Sequence, residues 1–199
     1  MFESIPQESP LVRFNLPTPS AIAQSGVSMT EKSFRGHLNL RGNPDDPAFR
    51  KAVQGVLGLE LPCVPNTVID DGELVAYWLG PDEWLIVSPG DREHSLEQAL
   101  RVALADLFAA VTAISGGQTV IVLQGKHARD VLAGCCTLDL HPRVFGPGRC
   151  AQSLLGKAPI LIRQVDDSPR FELIVRRSFA DYLWLWLNDS ANVLGEKHV

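Results

Sequence analysis

Thr119-Val120-Ile121-Val122-Leu123-Gln124-Gly125 is an unbroken apolar run closed by a glutamine and a glycine. Its end repeats Leu40-Arg41-Gly42, with the two glycines 83 residues apart. The segment after each glycine also repeats. Asp46-Pro47 supplies an N-cap and a first-turn proline for a helix burying Phe49, Ala52, Val53, Val56 and Leu57. Lys126 to about Cys135 repeats that helix with Ala128, Val131 and Leu132 on one side. Leu59-Glu60-Leu61-Pro62 then answers Leu138-Asp139-Leu140-His141-Pro142, and Leu85-Ile86-Val87 answers Leu173-Ile174-Val175.

Working outward, Leu74 to Leu79 and Trp84 to Val87 predict two strands joined by a four-residue loop, Gly80-Pro81-Asp82-Glu83. Asp91 or Ser95 can cap a helix with Leu96, Leu100, Ala103, Leu104 and Leu107 on one face, and Ala110 to Ile114 returns as a strand. In the second half the strands are expected near Ser153 to Leu155, Ala158 to Arg163 and Phe171 to Val175. A last helix starts at Ser178-Phe179-Ala180-Asp181, with Phe179, Leu183, Trp186, Leu187 and Leu194 inward. Each half reads β-α-β-β-α, a pattern buried economically by helices on one face of an antiparallel sheet. The expected class is α+β: two tandem ferredoxin-like modules sharing a core, 33–117 and 118–199, after an extended N-terminal arm, 1–32. Pro6, Pro10, Pro17, Pro19 and the run Ser20 to Thr30 show neither helical nor alternating period, so the arm is either a loose tail or ordered by another surface.

With 199 residues, 45% hydrophobic and 21% charged, the chain is long enough to bury a core without metal or disulfide staples. A net charge of −5 and a pI near 5.5 oppose binding to nucleic acid, and no such partner is expected. The stretch His141 to Arg177 is locally +4, however, through Arg143, Arg149, Lys157, Arg163, Arg170, Arg176 and Arg177 against Asp166, Asp167 and Glu172. It reads as a solvated face or as a surface for an acidic partner. No run nears 18 uninterrupted apolar residues and the first residues lack a signal-peptide pattern, so the expectation is a cytoplasmic chain with no membrane contact and four reduced cysteines.

Chemistry is hard to find. Cys135, Cys136, His141 and Cys150 fall within sixteen residues, but vicinal cysteines strain to face one metal, and small buried thiols are the simpler reading. No G-x-S-x-G elbow organises a nucleophile, and His37, His94, His127 and His198 read as surface or capping residues, with no role for His141. Gly146-Pro147-Gly148 loses a donor at its proline and Gly116-Gly117 joins two strands, so neither is a phosphate cradle. Asp45-Asp46, Asp70-Asp71 and Asp166-Asp167 read as turn formers. No catalytic, cofactor-binding or metal residue is assigned. On the last helix, Trp184 and Trp186 point about 200° apart, so one must leave the local core, to be covered by the other module or by another protein. Arg149, Lys157, Arg176, Arg177 and Trp184 are the expected partner contacts.

The sequence resembles the gamma-subunit family of heterotetrameric sarcosine oxidases along nearly its whole length. The carrying residues are Leu38-Asn39-Leu40-Arg41-Gly42, Leu61-Pro62 through Pro65-Asn66-Thr67, Trp78-Leu79-Gly80-Pro81-Asp82-Glu83-Trp84-Leu85, Gly125 to Cys136, Leu138 to Pro142, and Ser178 to Tyr182. The resemblance implies a non-catalytic accessory subunit in a bacterial complex with alpha, beta and delta chains. That complex oxidatively demethylates sarcosine to glycine, passes the one-carbon unit to tetrahydrofolate or releases formaldehyde, and makes hydrogen peroxide. FAD, FMN, NAD and folate sites are implied in alpha and beta, zinc in delta, and none in this chain, which is similar to the folate-binding aminomethyltransferase fold. The alternative is a free-standing folate-binding or aminomethyltransferase-like module, with the cations of 149–177 on the folate tail.

Overall fold

The computed structural model describes residues 7–14 and 26–196. Its elements are β1 (Ser28–Lys32), β2 (Arg35–Arg41), α1 (Pro47–Leu57), β3 (Val68–Asp70), β4 (Val75–Gly80), β5 (Glu83–Pro89), α2 (Glu93–Ala103) and β6 (Ala110–Ala113). The second half adds β7 (Gln118–Gln124), α3 (Ala128–Ala133), β8 (Cys150–Leu155), β9 (Ala158–Asp166), β10 (Arg170–Arg176) and α4 (Ala180–Glu196). The fold is α+β with two antiparallel five-stranded sheets, ordered β6-β2-β5-β4-β3 and β1-β7-β10-β9-β8.

Written in that direction, the sheets correspond place by place. β2 and β7 open each half, and the helix after each carries the chain past two places to the far edge, where β3 or β8 leads back into β4 or β9; β5 or β10 then fills the place left between β2 and β4 or between β7 and β9. The result is a split βαβ passage in each lobe. The repeated glycines do the same work twice. Gly42 N–H donates to the Asp82 carbonyl (3.1 Å) and Gly125 N–H to the Pro169 carbonyl (3.1 Å), tying each strand end to its β4–β5 or β9–β10 turn. A Cβ at Gly42 would sit 2.2 Å from the Phe49 ring, and one at Gly125 2.2 Å from the Gly26 carbonyl, with φ of +123° besides.

Three expectations are corrected. The β4–β5 connection is the two-residue turn Pro81-Asp82, because Gly80 and Glu83 pair as strand residues after a register shift between Trp78 and Gly80. The first lobe also gains a strand that was not expected, β3, whereas β8 lies where a strand near Ser153 to Leu155 was expected. Finally, residues 28–32, expected in the arm, form β1, paired in register with β7 from Ser28↔Gln124 to Lys32↔Val120. The place that β6 fills in the first sheet is thus filled in the second by a strand from before the first. Much of the proposed arm, including Pro6, Pro17 and Pro19, lies outside the described residues.

Strand alternation sorts the apolar residues into three layers. Leu38, Leu40, Ala76, Trp84 and Ile86 meet α1 and α2, where Phe49, Val53, Leu96 and Leu100 cover them. Ile121, Leu123, Ile160, Ile162, Phe171 and Leu173 meet α3 and α4. The opposite faces meet each other: Val75, Tyr77, Leu85 and Val87 of the first sheet pack on Val120, Leu161 and Ile174 of the second. The order is therefore helix, sheet, sheet, helix.

Candidate functional site

Along β9, Ile160 and Ile162 face the helices, so Arg163 by parity faces the other sheet; along β10, Phe171 and Leu173 face the helices, so Glu172 does too. The register sets Glu172 directly opposite Arg163. The Arg163 guanidinium donates from Nε to Glu172 Oε2 (2.7 Å) and from Nη1 to Asp70 Oδ2 (2.6 Å), and stacks 5.6 Å over the Tyr77 ring. Lys32 Nζ reaches the other Glu172 oxygen at 2.5 Å. Asp70 and Tyr77 come from the first lobe, Arg163 and Glu172 from the second, and Lys32 from β1. These charges ring a cleft of about 270 Å³.

The pairing sets the charge states of Glu172, Asp70 and Arg163. Burial pushes the Glu172 carboxyl upward, but Arg163 and Lys32 outweigh it and hold the group below its ordinary range. Asp70 is likewise held low, against its partial burial, by Arg163 and the Gly72 N–H. Burial disfavours the Arg163 cation, yet its anionic neighbours raise its pKa, and burial drives the Tyr77 phenol well up. Two cations and two anions at bonding distance make a clamp between sheets. From composition, Arg163 and Glu172 belong to a solvated stretch and Asp70 to a turn. Asp70 does serve its turn, accepting from Gly72 N–H at 2.8 Å. The signal available was a lone arginine and a lone glutamate inside Ile160-Leu161-Ile162-Arg163 and Phe171-Glu172-Leu173-Ile174.

The second concave region lies where residues 8–10 cross Gly116 and Arg177, in two adjoining hollows of about 640 and 750 Å³. Arg177 donates to the Glu8 carbonyl (3.0 Å), Ser9 and Thr119 hydroxyls both bond the Glu31 carboxylate, and Arg13 pairs with Asp181. Arg176 and Arg177 therefore stand together beside the chain's own N-terminal segment. Arg149 and Lys157 are exposed at opposite ends of β8, so the basic residues do not form one patch.

Trp184, expected on the exterior, is 8% exposed in the second-lobe core, 6.1 Å from the Phe14 ring. The segment that covers it belongs to its own chain. The outward tryptophan is Trp186, expected inward but 43% exposed. The helix turns its small Ala180 and Ala191, not Trp186, toward the sheet along with Leu183 and Leu187. The cysteines are dispersed too: the Cys150 thiol donates to the Thr67 carbonyl between the sheets, and Cys135 to Val131 at the end of α3. Burial pushes both thiols up to about 11. Among the described residues, no three His, Cys, Asp or Glu side chains stand together as metal ligands.

His37, expected at the surface, is fully buried, with Nδ1 3.1 Å from the Arg35 carbonyl and Nε2 unpartnered. Burial lowers its pKa from 6.5 to about 4. Its contribution to stability is thus complete above pH 6.5 and lost as pH falls toward 4, where the unfolded chain takes a proton the folded one refuses. In urea titrations across that window, His37→Gln should flatten the decline; an unchanged slope would show that another group causes it.

This arrangement of doubled sheets is a fold shared with the glycine cleavage system aminomethyltransferase T of Bartonella henselae, which overlays the chain with a TM-score of 0.60, at 14% identity, over 85% of this chain and 48% of that one. The family is shown by the sequence. The family described as "Sarcosine oxidase, gamma subunit family" matches residues 41–193, and the chain belongs to it. It is 30% identical over 168 residues to the sarcosine oxidase subunit gamma of Corynebacterium sp. strain U-96, covering 84% of this chain and 80% of the relative. To the Arthrobacter sp. subunit gamma it is 31% identical over 165 residues, 82% and 79% of the two chains. A chain of the heterotetrameric sarcosine oxidase from Corynebacterium sp. U-96, solved with pyrrole 2-carboxylate, superposes with a TM-score of 0.84 at 27% identity over 95% of this chain and 96% of that one. The described structure contains no helix long and apolar enough to cross a membrane.

Proposed function

We propose that this chain is the accessory gamma subunit of a heterotetrameric sarcosine oxidase, assembled in the cytoplasm with alpha, beta and delta chains. In this reading the partners hold FAD, FMN, NAD and tetrahydrofolate and carry out the demethylation of sarcosine to glycine with release of hydrogen peroxide. The observation that carries the reading is the near-complete mutual coverage with a chain of that complex, 95% and 96%. The internal use of the strongest charges agrees with it: Arg163, Glu172, Asp70 and Lys32 hold the lobes together. Arg149, Lys157 and Arg176, all exposed, remain the proposed basic contacts to partners.

Co-expression with alpha, beta and delta chains tests the proposal. The expected result is one species on size exclusion containing all four chains in equal amounts, with sarcosine-dependent peroxide formation. Assembly of an active enzyme that leaves this chain free would overturn it. The free-standing folate module is supported by the likeness to aminomethyltransferase T alone, a likeness of fold. It predicts that tetrahydrofolate titrated onto the isolated chain gives a saturable calorimetric signal, where an accessory subunit gives none.

A further inference from the structure

The two lobes repeat strand for strand, but their helices do not match. In the first lobe α1 and α2 have 11 residues each. In the second, α3 has 6 and α4 has 17, so a rod of about 9 Å lies against one of about 25 Å. The shorter helix cannot cover the longer. Tyr182, Trp186, Asp189, Ser190 and Val193 succeed one another at helical spacing along the uncovered side of α4, away from the buried stripe of Leu183, Leu187 and Ala191. Trp186 and Val193 are 43% and 52% exposed there.

Between the helices runs a groove of about 410 Å³, lined by Asp130 and Val131 of α3, by Gly134 just beyond it, and by Trp186, Asp189 and Val193 among the residues of α4. Among the described residues its lining holds two carboxylates and no lysine or arginine. The aromatic wall is fixed in advance. The Trp186 ring lies 5.8 Å from Tyr182, whose hydroxyl accepts the Lys157 N–H at 3.0 Å, and Tyr182 fills the space a side chain at Gly156 would need. A held tryptophan beside exposed aliphatic surface is the usual make-up of an interface anchor, and a side chain already ordered loses little entropy on binding.

We infer that the α3–α4 groove is the docking site for a segment of a partner subunit that presents an apolar side chain flanked by lysine or arginine. The apolar group packs on Trp186 and Val193, and the cation meets Asp189 and Asp130. The occupant follows from charge: an acidic segment would meet the Asp189 carboxylate and that of Asp130, whose Oδ2 lies 2.9 Å from His127 Nδ1, and a purely apolar one would strip both of water without return. This inference rests on the assembly proposed above and names the face through which it forms.

The test uses the full complex, with Trp186→Ala and the double variant Asp130→Lys, Asp189→Lys each introduced into the full-length chain. Asp106→Lys, an exposed carboxylate in the first lobe, is the control. Circular dichroism of each isolated variant verifies folding, and the double variant keeps the test open if Trp186→Ala does not fold. Both groove variants should weaken capture of this chain by the other subunits at least tenfold, and the double variant should also lose the salt dependence of association, while the control behaves as wild type. Groove variants that bind like the control would overturn the inference while leaving the subunit assignment intact. A wild-type chain that fails to join the other subunits would instead remove that assignment. Groove variants that abolish a homodimer of the isolated chain, yet join the complex normally, would make a second copy the occupant and also overturn it.

Discussion

Trp184→Ala is expected to destabilise the isolated chain by about 3–5 kcal/mol, the cost of emptying a large aromatic site in a packed core. Trp184 sits among Leu183, Leu187 and Ala180 on the inward side of α4, with Phe14 tilted over it at 6.1 Å. The void opens where the N-terminal segment crosses the helix, so the loss should include part of the docking of residues 9–14, which is also held by buried Leu11, the Ser9–Glu31 bond and the Arg13–Asp181 pair. Against a typical total of about 5–15 kcal/mol, such a loss is a large fraction of the whole. Trp186→Ala is the internal comparison: the same residue type two places on, but 43% exposed, it should cost roughly 1 kcal/mol or less. Urea unfolding of the two variants separates the readings. Equal midpoints would mean that Trp184 is not core.

How far the sequence can be read depends on the range of the forces involved. Local periodicity locates β2, α1, β7 and the repeat of Leu40-Arg41-Gly42, because a strand's alternation and a helix's 3.6-residue stripe are written in neighbouring residues. Trp84 is legible as a strand residue, but its partners are not neighbours: it packs on Phe49 at 5.8 Å and donates to the Pro62 carbonyl at 2.7 Å. β1 cannot be read in this way. Ser28-Met29-Thr30-Glu31-Lys32 has weak alternation and becomes a strand because β7 offers it a free edge some ninety positions later. The facing of α4 is illegible for a related reason. An element apolar nearly all round does not declare which side meets its sheet, and the choice of Ala180 and Ala191 over Trp186 is made by how closely the backbone approaches. The charged clamp is hidden by composition: Arg163 and Glu172 count as two more surface charges until the parity of β9 and β10 turns both inward.

Arg163→Met tests that clamp, and its expected cost is also about 3–5 kcal/mol, since it leaves a buried carboxylate without its main partner. Lys32 stays on Glu172 but is half-exposed and cannot replace a guanidinium that bonds Glu172, Asp70 and the Tyr77 face together. Replacing both members of the buried pair, Arg163→Met with Glu172→Met, should recover most of the loss, because Lys32 and Asp70 each keep access to water while two apolar side chains fill the inter-sheet layer. The pH dependence separates this from simple loss of packing. In the wild type both carboxylates titrate below their ordinary values of 4.5 and 3.8, so the stability they bring is present above those values and is lost as pH falls through the depressed folded ones. In Arg163→Met, burial acts on Glu172 with less opposition and its pKa rises, so protonation relieves the variant while it weakens the wild type. The gap between their unfolding free energies should therefore narrow from neutral pH to about pH 4. A gap of constant size over that range would mean that the Arg163 side chain serves by its bulk, and that the two lobes are joined by Val75, Tyr77, Leu161, Ile174 and their neighbours alone.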